Sequence, residues 1–477
     1  MTDPSAGRCE TGRVLPRFEV VARRRPVDLV APDSLLLDRP LGNGWSAPTP
    51  HPAPCVAVTA SLAEPRAGRL VLELRSGDDR LAGWYDVASG AVGLEVTSPG
   101  HTTGHRSRRY GRTDAPASAV GLALTGTHLT VFTRDASGWT ARGRVGLRGR
   151  VDTRDERWLA SLETAQRWEG TSPPPGRVVT GGFGQLGLRD LRVVSEADGT
   201  PYRPDGPLLL SATSAGPGFF DTAHTSVWSL DPATYELAHR ADLFFRRPDR
   251  PGVFGDHATH LVRDGDRWLV ATSTWGDFDG ARGDATVAVT LAETDADVLH
   301  GRHVLDTRPL ALPTTGLRSV GVWDPHLVRT EGRWLVGYVS ASRFFRFHPV
   351  LAEGPDLDSL ALRGAASTRI ATEGTTLVQV HGAWRVLASD GRDGRRGQRR
   401  GYPVFDLDLA EVGALDAAYP SNIPWPTLVR LGPDEWLKVA FDGTSYGGPL
   451  LGYGTHGDVV VQQSMPTRDE GGRGPTM

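Results

Sequence analysis

Cysteine is almost absent from this sequence. Cys9 and Cys55 are the only two in 477 residues, which excludes a disulfide framework and a cysteine-built metal site. Lysine is scarcer still: Lys438 stands alone, so the 53 basic residues are nearly all arginine, a bias of composition without mechanistic content. No apolar run approaches the length that spans a bilayer, and the opening MTDPSAGRCETGR lacks the basic-then-apolar order of a signal peptide. A cytoplasmic protein without a membrane partner is the expectation. The net charge of -3, with no basic stripe carrying interleaved aromatics, gives no footing for nucleic acid.

Glycine and proline, in contrast, are abundant, at 58 and 35 residues. They point to short strands and many turns, an all-β chain too long for one ordinary core. Residues 1–54 show little periodicity and read as an irregular N-terminal arm. Residues 55–185 hold alternating runs such as RLVLELRSG and GLALTGTHLTVFTRD between Gly, Asp and Ser turns, the rhythm of an antiparallel jelly-roll β-sandwich of concanavalin-like or laminin-G-like type. Residues 186–465 repeat. In GDHATHLVRDGDRWLV, VWDPHLVRTEGRWLV, ATEGTTLVQVHGAWRV and PWPTLVRLGPDEWLKV, Leu261, Leu327, Leu377 and Leu428 fall in register at intervals of 66, 50 and 51 residues. RDLRVV places Val193 in the same column. Two strands around a turn at such a period predict a five-bladed β-propeller, with residues 466–477 as a disordered tail.

In a blade, the start of the innermost strand, the turn after the second and the start of the third share one face, where function collects. That rule gathers Asp190, Asp256, His257, Trp323, Asp324, Glu373 and Trp425 from inner strands. From the turns come Phe219, Phe220, Asp221, Trp275, Asp277, Arg343, Phe344, Asp390, Arg392 and Asp442, and His224 opens a third strand. Converging carboxylates push one another's pKa values apart, and such a pair can protonate a leaving oxygen while activating water; the aromatics offer platforms for a sugar face. The recurring Trp268, Trp334, Trp384 and Trp436 read as packing between blades.

With RDLRVV, WDPHLV and TEGTTL in that order, the chain resembles the five-bladed propeller glycoside hydrolases, the arabinanase, arabinofuranosidase and xylosidase group of family 43 together with invertases and levansucrases. The resemblance covers residues 186–465. It implies catalytic roles for Asp190 as base, Asp324 as orienting acid and Glu373 as general acid, and a lean towards inversion. Asp256, His257, His224, Trp275, Trp323, Arg392 and Trp425 become candidate substrate contacts. Leu191 stands where that family usually shows Pro, and the sandwich precedes the propeller where the family has the reverse order. Asp256 stays open as an alternative base.

His257, His260 and His326 lie near the expected channel at spacings that match no zinc motif. No cofactor is required, and a calcium or other ion in the channel is left open. The loop DGRDGRRGQRRG, Asp390 to Gly401, is either solvated or a contact for an anionic ligand, and GGFGQLG lacks the helix a phosphate loop needs. A carbohydrate or small-molecule substrate is expected, cleaved at its glycosidic bond. Two alternatives stand beside it: a non-hydrolytic cyclisation or elimination on a small metabolite, and a non-catalytic glycan- or partner-binding protein. Oligomeric state is not legible.

Overall fold

The computed structural model describes residues 15–63, 67–204, 206–283, 285–451 and 457–465; the expected tail at 466–477 lies outside them. Strands make up 56% of the described residues and helix 2%, so the fold is all-β. No helix of the described residues is long and apolar enough to cross a membrane.

Two six-stranded sheets face each other first. One runs, in spatial order, Gly138–Gly146, His128–Asp135, Ala119–Thr125, Cys55–Ser61, Arg177–Gln185 and Asp28–Pro40; the other runs Gly44–Pro48, Glu163–Glu169, Arg69–Ser76, Asp79–Asp86, Ala91–Ser98 and His101–His105. Their alternation is that of the sequence: Leu70, Leu72 and Leu74 point inward from one strand and meet Val56, Val58, Leu122 and Val131 of the other sheet, all of them fully buried. Glu73 breaks the alternation from the opposite face, where Arg75 and Arg80 hydrogen-bond its carboxylate.

Five further sheets follow in chain order, in the arrangement of a propeller. Their innermost strands are Leu188–Val193, His257–Asp264, Gly321–Thr330, Thr372–Val380 and Thr427–Arg430. The second strands bring the repeated tryptophans into the core, where Trp268, Trp334 and Trp436 are buried. Each of these three lies opposite an arginine of the inner strand, in the pairs Arg263–Trp268, Arg329–Trp334 and Arg430–Trp436, whose guanidinium sits 5.2 to 5.9 Å from the ring. The fourth copy has Gln379 opposite Trp384, and that ring is only half-buried.

The N-terminal segment differs from its expectation. Within the described part of the expected irregular arm stand three strands: Asp28–Pro40 and Gly44–Pro48 edge the two sandwich sheets, and Phe18–Arg24 pairs with Asp458–Ser464 to complete the fifth propeller sheet. The burial pattern of Phe18–Arg24 puts only Phe18 and Ala22 inside, too sparse a signal to read as a strand.

The sandwich docks on the first propeller sheet through a buried polar knot. Asp242 accepts hydrogen bonds from His224 (3.0 Å) and His239 (2.9 Å), and Arg302 bonds His51 at 2.8 Å. Burial opposes the charged form of His224, yet Asp242 outweighs it and lifts the imidazole to about 10. The sandwich also reaches the loops at the propeller mouth: Arg154 donates to the Gly276 carbonyl (2.6 Å), Arg148 to Asp279 (3.3 Å), and His128 approaches Asp221 at 3.1 Å. It thereby braces the two segments that carry Phe219, Phe220, Trp275 and Phe278.

Candidate active site

Four of the inner strands share one irregularity. Pairing with the second strand slips between Arg189 and Arg192, His257 and His260, Trp323 and His326, and Glu373 and Thr376. Within each slip one residue turns to positive φ: Asp190 (50°), Ala258 (60°), Asp324 (59°) and Gly374 (74°). This is a β-bulge repeated around the axis, three positions before the leucine column, and it re-aims the side chains beside it. Left-handed non-glycine residues are uncommon and concentrate where the surroundings force them. Gly374 has no alternative, because a Cβ there would meet Trp425 Cδ1 at 2.5 Å.

The bulges bring Asp190, Asp324 and Glu373 to the floor of one cavity, whose lining also includes Arg189, His257, Trp275, Trp323 and Trp425. Asp324 is buried; one side of its carboxyl meets the Gly374 N–H, and Oδ2 has no partner. Burial first, then the charges of Glu373 and Asp190, raise its pKa well above the ordinary carboxylate range, against a smaller pull from Arg192. Glu373 sits deep in the mouth with part of its surface open to the cavity. Burial and then Asp190 push it up to about 7, opposed by Arg189 and by the indole N–H groups of Trp323 and Trp425. Those indoles act on Glu373 through their dipoles, since neither closes a hydrogen bond of standard geometry. His257 donates from Nε2 to the Phe220 carbonyl (3.1 Å), and burial lowers it to about 4, leaving a neutral ring with Nδ1 bare.

Three candidates lie elsewhere. Asp256 is fully buried outside the cavity, clamped on both oxygens by Arg247 (2.7 Å on Oδ2) and accepting the Gly276 N–H at 2.9 Å. It is two residues from its bulge where Asp190 and Asp324 are the bulge residues themselves, so the alternative base is a structural ion pair. His224 belongs to the knot under the sandwich. Arg392 is exposed beside the mouth; its backbone N–H donates to Asn422 Oδ1 at 2.8 Å, and Asn422 lines the cavity. Of the rim acids, Asp221 faces His128, Asp277 pairs with Arg247 and Arg250, Asp390 with Arg369, and Asp442 with Arg23. Arg343 is absent from the lining, whereas Phe219, Phe220 and Phe344 belong to it. Phe278, Phe345, Phe347 and Ile423 also line the mouth and had no repeat position to announce them.

The channel below holds a fixed cationic side chain. Arg192, wholly buried, reaches from the first inner strand to the Asp324 carbonyl (3.0 Å) and Thr376 Oγ1 (3.2 Å), with its guanidinium 4.4 Å from the Trp425 ring. His260 and His326 stack beside it with centroids 4.2 Å apart. Each accepts a backbone N–H at Nδ1, from Leu327 (3.0 Å) and Leu377 (3.4 Å), which puts the proton of the neutral ring on Nε2. A calcium ion at this level would meet a guanidinium and two imidazole donors. Among the described residues no group of His, Cys, Asp and Glu side chains is arranged to hold a metal. Because Arg192 favours the ionised form of Asp324, Arg192→Met is expected to raise the apparent carboxyl pKa of the floor by roughly one unit. Arg192→Lys should stay near wild type, both read by carbon-detected NMR titration.

No protein-family model and no curated protein matches the chain. Among solved structures, a GH32 β-fructofuranosidase from Bombyx mori is similar at TM-score 0.40 and 13% identity, over 58% of this chain and 60% of that one. Bacillus subtilis levansucrase is similar at 0.41 and 11%, over 58% and 83%. A GH43_1 enzyme from Xanthomonas citri, complexed with xylose, is similar at 0.39 and 13%, over 58% and 86%. The chain thus matches less than two thirds of the fructofuranosidase's length. Likenesses this distant say nothing about chemistry, and the carboxylates of this mouth stand on their own geometry.

Proposed function

We propose that the propeller mouth cleaves a glycosidic bond by general acid and base catalysis between carboxyl groups. The observation that carries this reading is Glu373: a carboxyl held protonated up to about pH 7 on a floor shared with two more carboxyls from sheets remote in sequence. Glu373 gives its proton to the leaving oxygen as the bond to the anomeric carbon breaks. Asp190 takes a proton from water as its oxygen bonds that carbon, the inverting form of the reaction. Asp324, whose carboxyl feels the charges of both, orients the sugar.

A second reading is favoured by the neutral state that burial imposes on Asp324. A carboxyl group that stays protonated in an aromatic cavity is equipped to start a cyclisation or elimination on a small metabolite without water.

The test is turnover of nitrophenyl and oligosaccharide furanosides and pyranosides. Wild type is expected to release sugar from at least one class. Asp190→Ala should lose hydrolysis and regain turnover in azide, with a glycosyl azide as product. Failure of wild type on every glycoside would overturn the hydrolase reading and leave the second.

A further inference from the structure

The carboxylates occupy only the floor of the mouth, and its walls are of another character. Nine of the nineteen residues around the cavity are Phe or Trp, enough for the rings to run unbroken across three sheets. Phe219 meets Phe220 at 4.7 Å, Phe220 stacks on Trp275 at 4.4 Å, Trp275 meets Phe278 at 5.0 Å, and Phe278 meets Phe344 at 4.8 Å. At the open end Phe219 and Phe345 are 44% and 69% exposed. Large aromatic rings left in water around a concave, acid-floored site mark a surface that something apolar covers.

Neutral hydrogen-bonding groups are few on the outer walls, since the bare His257 Nδ1 and the indole N–H groups of Trp323 and Trp425 lie at the floor beside Asp190 and Glu373. His257 Nε2 is committed to the Phe220 carbonyl, Thr213 Oγ1 accepts the Ala258 N–H at 3.3 Å, and Asn422 Oδ1 accepts the Arg392 N–H. An oligosaccharide laid along this wall would strip water from its hydroxyls and find few partners for them, a cost that apolar contact with one sugar face does not offset. The floor is different: Arg189, Asp190, Asp324 and Glu373 offer donors and acceptors enough for a single sugar ring.

We infer that the substrate is a small glycoside in which one sugar ring sits on the carboxylate floor and an apolar aglycone, a fused-ring or long hydrocarbon body, lies along the wall from Phe219 to Phe345. The sugar end rests on the hydrolase reading above; the aglycone end rests on the wall alone. Glu373 then protonates the oxygen that leaves with the aglycone, so the reaction releases an apolar alcohol or phenol.

Calorimetric titration with 2-naphthol, with free xylose, arabinose and fructose, and with xylotriose separates the two ends. Naphthol is expected to bind with one-to-one stoichiometry and at least roughly tenfold more tightly than any of the sugars. Phe219→Ser and Phe345→Ser truncate exposed side chains that belong to none of the buried apolar clusters. Each should weaken naphthol about five- to tenfold while leaving the melting temperature unchanged. Xylotriose binding more tightly than naphthol, or naphthol binding that both serine variants leave intact, would overturn the inference. Tight naphthol binding without turnover of any glycoside would uphold the apolar wall and remove the glycosidic bond. Turnover of oligosaccharides without naphthol binding would remove the wall and keep the bond.

Discussion

Glu373→Gln is expected to cut kcat by roughly a hundred- to ten-thousand-fold on glycosides with poor leaving groups, the range that a lost general acid commands. Loss should be far smaller with dinitrophenyl glycosides, whose leaving oxygen needs no proton. Stability moves the other way. A carboxyl whose folded pKa is raised contributes stability that is complete below its unfolded value, 4.5, and is lost as pH climbs through the folded value, about 7. The wild type therefore carries a growing penalty across that window, on the order of 3 kcal/mol by pH 8. Glutamine carries none. Thermal melts of the two proteins should coincide near pH 4.5 and diverge by pH 8 with the variant the more stable. A parallel pair of melts, or a variant destabilised at every pH, would show that Glu373 is not held protonated.

Asp256→Ala should do the reverse, with a large loss of stability and little loss of chemistry. Its carboxylate closes a buried pair with Arg247 and takes the Gly276 N–H. Removal leaves a guanidinium without its main counterion, and breaking such a pair costs about 3–5 kcal/mol. Arg247 keeps a contact with Asp277 at 2.7 Å, which places the expected loss towards the lower end. Activity per folded molecule, assayed well below the melting transition, should stay near wild type. Abolished activity in a protein of unchanged melting temperature would instead make Asp256 the base.

The contrast between these two acids marks how far the sequence could be read. The leucine column located every inner strand, and counting back from it put Asp190, Asp324 and Glu373 at the mouth because the bulge recurs at one offset. Asp256 looked equivalent from the same column. Its partner, Arg247, comes from an outer strand of the preceding sheet, and no local pattern links the two. His224 was misleading for the same reason: it opens a third strand as expected, but Asp242 holds it from the neighbouring strand. Arg192 is one of two arginines in the strand LRDLRV, and nothing in that short run tells which of them is buried. The strand Phe18–Arg24 has two inward residues in seven and a partner more than four hundred positions away. Pattern reaches as far as each element's own period; pairings between distant elements, and the charges they satisfy, lie beyond it.

That last pairing bears on how the molecule comes into being. Phe18 lies opposite Ser464, and Arg24 opposite Val459. Sandwich hairpins such as Arg69–Ser76 with Asp79–Asp86 can close as soon as they leave the ribosome, since their partners are adjacent in the chain. The ring cannot. Its fifth sheet waits for the last described strand to meet the first, a loop closure spanning nearly the whole polypeptide. Until then Phe18–Arg24 trails as a loose ribbon, and the sandwich is strung between two parts of an open ring. Once closed, the same strand turns the sandwich from a pendant into an insertion tethered at both ends, which fixes the bracing residues Arg148 and Arg154 against the loops of the mouth.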